Sequence, residues 1–208
     1  MDLNACIKEH GLIAILRGIH PREAEEIGLT LYEEGFRIIE VPLNSPSPCD
    51  SIRALRQALP QDCLIGAGTV LTAQQAAAVK QAGGQLIVMP HSDPAVIDAA
   101  KAAGLFCAPG VATLTEAFAA VARGADAIKI FPAEQITPAI VRAWRAVFPR
   151  HIPLLPVGGI TPEGMADYLA VGANGFGLGG ALYKPGNSAS DVRQAARQFM
   201  QAWRQCQP

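Results

Sequence analysis

Residues 126–131 read Asp126-Ala-Ile-Lys-Ile-Phe131, a short apolar run interrupted by one buried-looking charge. It is one of eight such runs. The others are LIAIL from Leu12, RIIEVP from Arg37, LIGAG from Leu64, QLIVM from Gln85, LFCAP from Leu105, PLLPV from Pro153 and GFGLG from Gly175. Their starts (12, 37, 64, 85, 105, 126, 153, 175) lie 20 to 27 residues apart, which leaves room for one helix between neighbours. Continuously apolar runs suit strands covered on both faces, and strands alternating with helices form a parallel sheet. Eight such units predict an α/β fold, a closed (β/α)8 TIM barrel at the small end of its size range. A doubly wound open sheet is the other arrangement the pattern allows. A helical stretch over residues 2–10 precedes the first run and reads as an extra N-terminal helix plugging the barrel's bottom.

Helix boundaries fit this register. Ser47-Pro-Cys-Asp50 and Thr113-Leu-Thr-Glu116 have the form of capping boxes, and Thr137-Pro138 and Thr161-Pro162 set a cap before a first-turn proline. Gly35, Gly83, Gly104, Gly124 and Gly172 each stand just before the next strand, where helices end. No linker or charge block divides the chain, so residues 1–208 are expected to form one barrel domain.

Composition narrows the function. Half the residues are apolar and 17% are charged, which excludes a disordered chain. A net charge of −1 offers no basic face to nucleic acid, and no apolar run approaches the about 18 residues of a membrane span. The five cysteines (Cys6, Cys49, Cys63, Cys107, Cys206) include no CxxC, and they read as reduced packing residues. With the acidic, early-charged N-terminus they point to the cytoplasm. The four histidines lie at positions 10, 20, 91 and 151, without metal-ligand spacing, so no metal is expected.

The chemistry lies in charges set inside strands. Of five lysines only Lys129 sits within an apolar run, between Ile128 and Ile130. Strand side chains alternate, so if the isoleucines face the helices, Lys129 faces the interior. Desolvation disfavours the ammonium, and a neutral amine can condense with a carbonyl to a Schiff base. The alternative is a structural lysine paired with a carboxylate. Glu40 is the matching anomaly in the second run. Runs two and six of eight face each other across a barrel, and both charges lie toward the strands' C-terminal ends, where barrel enzymes hold their sites. Glu40 then serves as proton shuttle, or else as a core ion pair with Lys129.

The rim adds binding groups. Arg17 ends the first run and could grip a carboxylate through two parallel hydrogen bonds, or remain a solvent-facing arginine. Thr69 follows the third run in Gly-Ala-Gly-Thr and offers a hydroxyl to the same carboxylate, or caps the next helix. Gly158-Gly159 and Gly179-Gly180 follow the seventh and eighth runs, where barrels build phosphate sites from backbone N–H groups; tight turns are the plainer reading. Together these residues describe a Schiff-base lyase acting by aldol cleavage on a small phosphorylated carboxylate. A metal-assisted lyase and a non-catalytic sugar-phosphate binder are the rivals.

At these residues the chain resembles the 2-keto-3-deoxy-6-phosphogluconate aldolase family of class I pyruvate aldolases. The matching stretches are LIAILRGI, IIEVPLNSP, LIGAGTVL, APGVATLTEAF, IKIFPAE, PVGGITPE and GFGLG, in order over nearly the whole chain. The resemblance implies Lys129 as Schiff-base lysine and Glu40 as acid/base. It implies Arg17 and Thr69 as substrate contacts, and Gly158, Gly159, Gly179 and Gly180 as phosphate site. It also implies a homotrimer and no cofactor. Family members acting on the gluconate-derived substrate tend to have EVTLRT after the second strand and a threonine before the seventh-strand glycines. This chain has EVPLNSP, with Asn44 and Ser45, and Val157 in the threonine's place. Both features resemble the branch that cleaves 2-dehydro-3-deoxy-6-phospho-D-galactonate to pyruvate and D-glyceraldehyde 3-phosphate, with the phosphogluconate and 4-hydroxy-2-oxoglutarate activities as alternatives. Where the family often has serine, this chain has Gly180, which leaves backbone donors alone.

Overall fold

The computed structural model describes residues 3–206. The chain opens with helix α1 (Leu3–His10) and then alternates strand with helix. Strands β1 (Leu12–Ile15), β2 (Ile38–Pro42), β3 (Leu64–Gly68) and β4 (Leu86–Val88) are followed by α2 (Pro21–Glu33), α3 (Pro48–Ala58), α4 (Ala73–Gln81) and α5 (Pro94–Ala102). The fifth apolar run splits into β5 (Phe106–Ala108) and β6 (Gly110–Val111), because Pro109 between them has no N–H to give the ladder. Then come α6 (Leu114–Ala122), β7 (Ile128–Ile130), α7 (Pro138–Arg145), β8 (Leu154–Pro156), α8 (Met165–Ala170), β9 (Phe176–Leu178) and α9 (Ala189–Gln205).

All pairings are parallel. One set runs β5-β4-β3-β2-β1-β9 and the other β6-β7-β8. The Lys129 N–H donates to the Pro109 carbonyl, carrying the ladder past the break, and a lone bridge joins Val157 to Gly177 at the end of β8. The sheet is thus curled upon itself with helices outside.

Two apolar layers follow from strand alternation. Ile39, Val41, Ile65, Ile128 and Ile130 join the large core between sheet and helices. Ile13, Ile38, Leu64, Leu86, Ala127 and Leu155 form a smaller core on the concave side. Leu3, Cys6 and Ile7 of α1 close that inner core from below, and each apolar side chain so buried contributes about 1.5–3 kcal/mol. Of the helical stretch expected over residues 2–10, α1 covers Leu3–His10, with Asp2 outside the described residues.

Helix starts agree in part with expectation. Thr113 and Glu116 form the expected capping box, and the five helix-ending glycines all have positive φ. Ser47 does not cap α3, since its φ of 40° is left-handed rather than the extended backbone from which a cap hydroxyl reaches back to the helix. Thr137 makes no side-chain cap bond. Thr161 accepts the Gly164 N–H within a turn, and α8 begins only at Met165. Capping boxes at Thr72–Gln75 and Ser188–Asp191 complete the set.

Candidate active site

Parallel registry fixes where the charged groups lie. Glu40 pairs with Ile15 on one side and Gly66 on the other, while Lys129 pairs with Gly110 and Leu155. Glu40 is two residues on from inward-facing Ile38, and Lys129 two on from inward-facing Ala127, so both belong to the interior. Both are buried, at 2% and 7% exposure, one layer above the inner apolar core.

Burial dominates their electrostatics. Desolvation pulls the Lys129 amine below the ordinary lysine value, partly opposed by Glu40 and reinforced by Arg17. Desolvation pushes the Glu40 carboxyl up to about 7, against the pull of Lys129, Arg17 and the Gly68 backbone. Glu40 Oε2 is buried without a hydrogen-bond partner, so the core ion pair allowed by sequence is not formed among the described residues. An isolated buried carboxylate oxygen is expensive in a purely structural role. The carboxylate is hemmed in: a Cβ on Gly68 would stand 2.0 Å from Oε2, so only glycine fits there.

A cleft of about 390 Å³ opens over Lys129. Eight of the nine predicted residues line it: Lys129, Arg17, Thr69, Val157, Gly158, Gly159, Gly179 and Gly180. Glu40, the ninth, is buried and does not line it. Thr69 does not cap α4, whose N-cap is Thr72; instead its φ of 55° holds a β-branched residue in left-handed backbone at the rim. Such strain persists where the surroundings over-determine it. The Thr69 hydroxyl lies 3.5 Å from Arg17 Nη2, and the Asn44 amide oxygen lies 2.7 Å from Arg17 Nη1. The glycine pairs differ. Gly158 and Gly159 have positive φ and rest against Glu134, whereas a Cβ on Gly179 would meet nothing within 4 Å. That open space belongs to the cleft.

Phe131 escaped sequence reading. Its ring centroid lies 4.6 Å from Lys129 Nζ. Strand alternation was the available signal, since Phe131 follows Lys129 by two positions. Asn44 registered only as a branch marker, because its contact with Arg17 spans 27 residues of chain. No group of three or more His, Cys, Asp or Glu side chains able to hold a metal occurs among the described residues.

A family model described as KDPG and KHG aldolase matches residues 3–196. The chain belongs to that aldolase family. It is 50% identical over 188 residues to the probable 2-dehydro-3-deoxy-6-phosphogalactonate aldolase of Rhizobium meliloti (strain 1021), covering 90% of this chain and 89% of the relative. It is 44% identical over 194 residues to the 2-dehydro-3-deoxy-6-phosphogalactonate aldolase of Escherichia coli (strain K12), covering 93% and 95%. A solved structure described as native KDPGal superposes with a TM-score of 0.92 at 44% identity, covering 94% of this chain and 95% of the other. As a KDPG and KHG aldolase, the chain is an enzyme, a carbon–carbon lyase, and its parallel curled sheet is the family's TIM-barrel-like fold.

Proposed function

We propose that this aldolase cleaves 2-dehydro-3-deoxy-6-phospho-D-galactonate to pyruvate and D-glyceraldehyde 3-phosphate through a Schiff base on Lys129. The observation that carries the reading is a buried amine lining the cleft with a buried carboxyl, Glu40, in the same interior layer, one of whose oxygens has no hydrogen-bond partner. The substrate identity draws on the two galactonate-type relatives and on Val157, an apolar side chain in the cleft where the gluconate branch tends to have a hydroxyl.

The neutral Lys129 amine adds to the C2 ketone, and the carbinolamine hydroxyl leaves as water on taking a proton from Glu40, giving an iminium and leaving Glu40 as carboxylate. The Glu40 carboxylate takes the C4 hydroxyl proton, directly or through water. The C3–C4 bond breaks, its electrons reach the iminium nitrogen, and the aldehyde departs. The enamine takes a proton at C3, for which Glu40 is the donor, and water then hydrolyses the iminium to pyruvate and the neutral amine, the released proton returning to Glu40. The iminium is the electron sink, so the scheme uses no cofactor. Arg17 and Thr69 hold the substrate carboxylate, and the backbone N–H groups of Gly158, Gly159, Gly179 and Gly180 hold the phosphate. Phe131, beside Lys129, helps to exclude water from the amine.

Borohydride reduction with pyruvate is expected to add a pyruvate-derived mass to the Lys129 peptide, and Lys129→Ala to abolish both adduct and turnover. An active enzyme without the adduct overturns the Schiff-base step. Pyruvate release from the two C4-epimeric phosphorylated keto acids is expected to favour the galactonate-derived one. Preference for the other overturns the epimer assignment alone.

The surrounding architecture we read as one domain over residues 1–208, a closed (β/α)8 ring with α1 as its extra N-terminal helix. The Val157–Gly177 bridge and the ladder carried past Pro109 support closure. A homotrimer is the assembly. Its support is the exposure of two apolar side chains, Val147 at 62% and Phe118, whose ring lies edge-to-face on the buried Phe148 next in sequence to Val147. Light scattering should give three times the chain's 21.9 kDa, and Val147→Asp should lower that mass. No helix of the described residues is long and apolar enough to cross a membrane. We read the chain as a cytoplasmic enzyme whose partner is a small phosphorylated sugar acid.

A further inference from the structure

The geometry points to Asn44 as a positioning residue that presets Arg17 for the substrate carboxylate as an uncharged acceptor, with Ser45 anchoring the loop that carries the arginine. The inference rests on the proposed role of Arg17.

Arg17 leaves the end of β1 on an exposed side chain whose rotamer freedom is costly to restrict when a ligand arrives. Here that freedom is already limited. Nη1 donates to the Asn44 amide oxygen at 2.7 Å, and Nη2 faces the Thr69 hydroxyl at 3.5 Å. The guanidinium thus spans from the loop after β2 to the loop after β3, at the mouth of the Lys129 cleft. Beneath it, Ser45 is buried at 7% exposure, and its hydroxyl accepts the Gly18 N–H at 2.9 Å. Ser45 therefore ties the residue after Arg17 to the β2 loop, so Asn44 and Ser45 act on the side chain and the backbone of one group.

The acceptors' charge matters as much as their position. Among the described residues Arg17 forms no ion pair, although arginine is ordinarily matched with a carboxylate. Asn44 and Thr69 orient the fork without neutralising it; only the longer-range pull of Glu40 opposes its charge, which remains available to an incoming anion. An aspartate at position 44 would hold the fork equally well, but it would compete with the substrate carboxylate.

The test measures half-saturation of borohydride trapping by pyruvate, with kcat and the melting temperature, in N44A, N44D, R17A and R17A/N44A. N44A is expected to raise the half-saturating pyruvate concentration about tenfold, the scale of one hydrogen bond to a charged group, with kcat within about twofold. N44D is expected to be at least as thermostable as the wild type and yet to bind pyruvate as poorly as N44A or worse. R17A/N44A is expected to match R17A, because Asn44 acts only through the arginine. Wild-type half-saturation in N44A, additive losses in the double variant, or full rescue by N44D each overturn the inference. A purely structural asparagine would be rescued by aspartate and would move the melting temperature instead. Trapping at saturating pyruvate should survive in N44A; its absence from the wild type would condemn the Schiff-base reading rather than this one.

Discussion

Glu40 makes the stability of the fold depend on pH near neutrality. Its carboxyl titrates at about 7 in the folded chain against an ordinary value of 4.5. The fold therefore holds this proton more tightly than the unfolded chain does. The stabilisation is fully present below pH 4.5 and is lost as pH rises through about 7. Glu40→Gln should match the wild type near pH 4 and exceed it at pH 8 by about 1–3 kcal/mol in urea denaturation. The same substitution should remove the acidic limb near pH 7 from the kcat/KM profile, together with most of the activity. A variant of unchanged pH profile would show that Glu40 takes no part in proton transfer.

At the scale of elements, α9 is the longest helix described and the one that fastens the chain's end to its beginning. Arg193 bridges Glu33 and Glu34 at the end of α2, and Arg197 adds a second contact to Glu34. Burial contributes more than these partly exposed pairs. Trp203 is nearly buried against Gly11, where a Cβ would stand 2.0 Å from the indole. Trp203→Ala should cost about 3–5 kcal/mol in urea denaturation while leaving KM unchanged well below the transition, because no residue of α9 lines the cleft. The elements were legible in sequence because eight apolar runs recur at helix-sized intervals. The split at Pro109 falls inside one of these runs and shows how a local backbone rule overrides the pattern. Thr113 was legible as a cap because its capping box is local, whereas Ser47 takes its left-handed backbone from context that no four-residue motif contains. Lys129 and Glu40 stood out because a charge inside an apolar strand has few inexpensive explanations. Asn44, Phe131 and Glu134 did not, because their significance lies in neighbours brought up by folding.

For the whole molecule, the layer that holds Lys129 and Glu40 is one course of a stacked interior. The plug of Leu3, Cys6 and Ile7 lies below, the apolar course of Ile13, Ile38, Leu64 and Leu155 above it, and the charged course on top. Dryness at Lys129 is therefore produced by residues distant in sequence, and the cleft remains as the amine's route to substrate. The curled sheet is not sewn evenly. β1 and β9 share three register pairs, whereas β8 is joined to the β9 segment by the Val157–Gly177 bridge and the hydrogen bonds between Leu154 and Asn174. Thermal gaping should begin along that weak joint, and the two glycine pairs flank it, one following each strand. An anion clasped by both pairs would rivet the joint shut. Inorganic phosphate at about 100 times its dissociation constant should then add about 2.7 kcal/mol to the fold and slow amide exchange at Gly177 more than at the β2–β3 ladder. The weakest line of the wall would thus be the one the ligand mends.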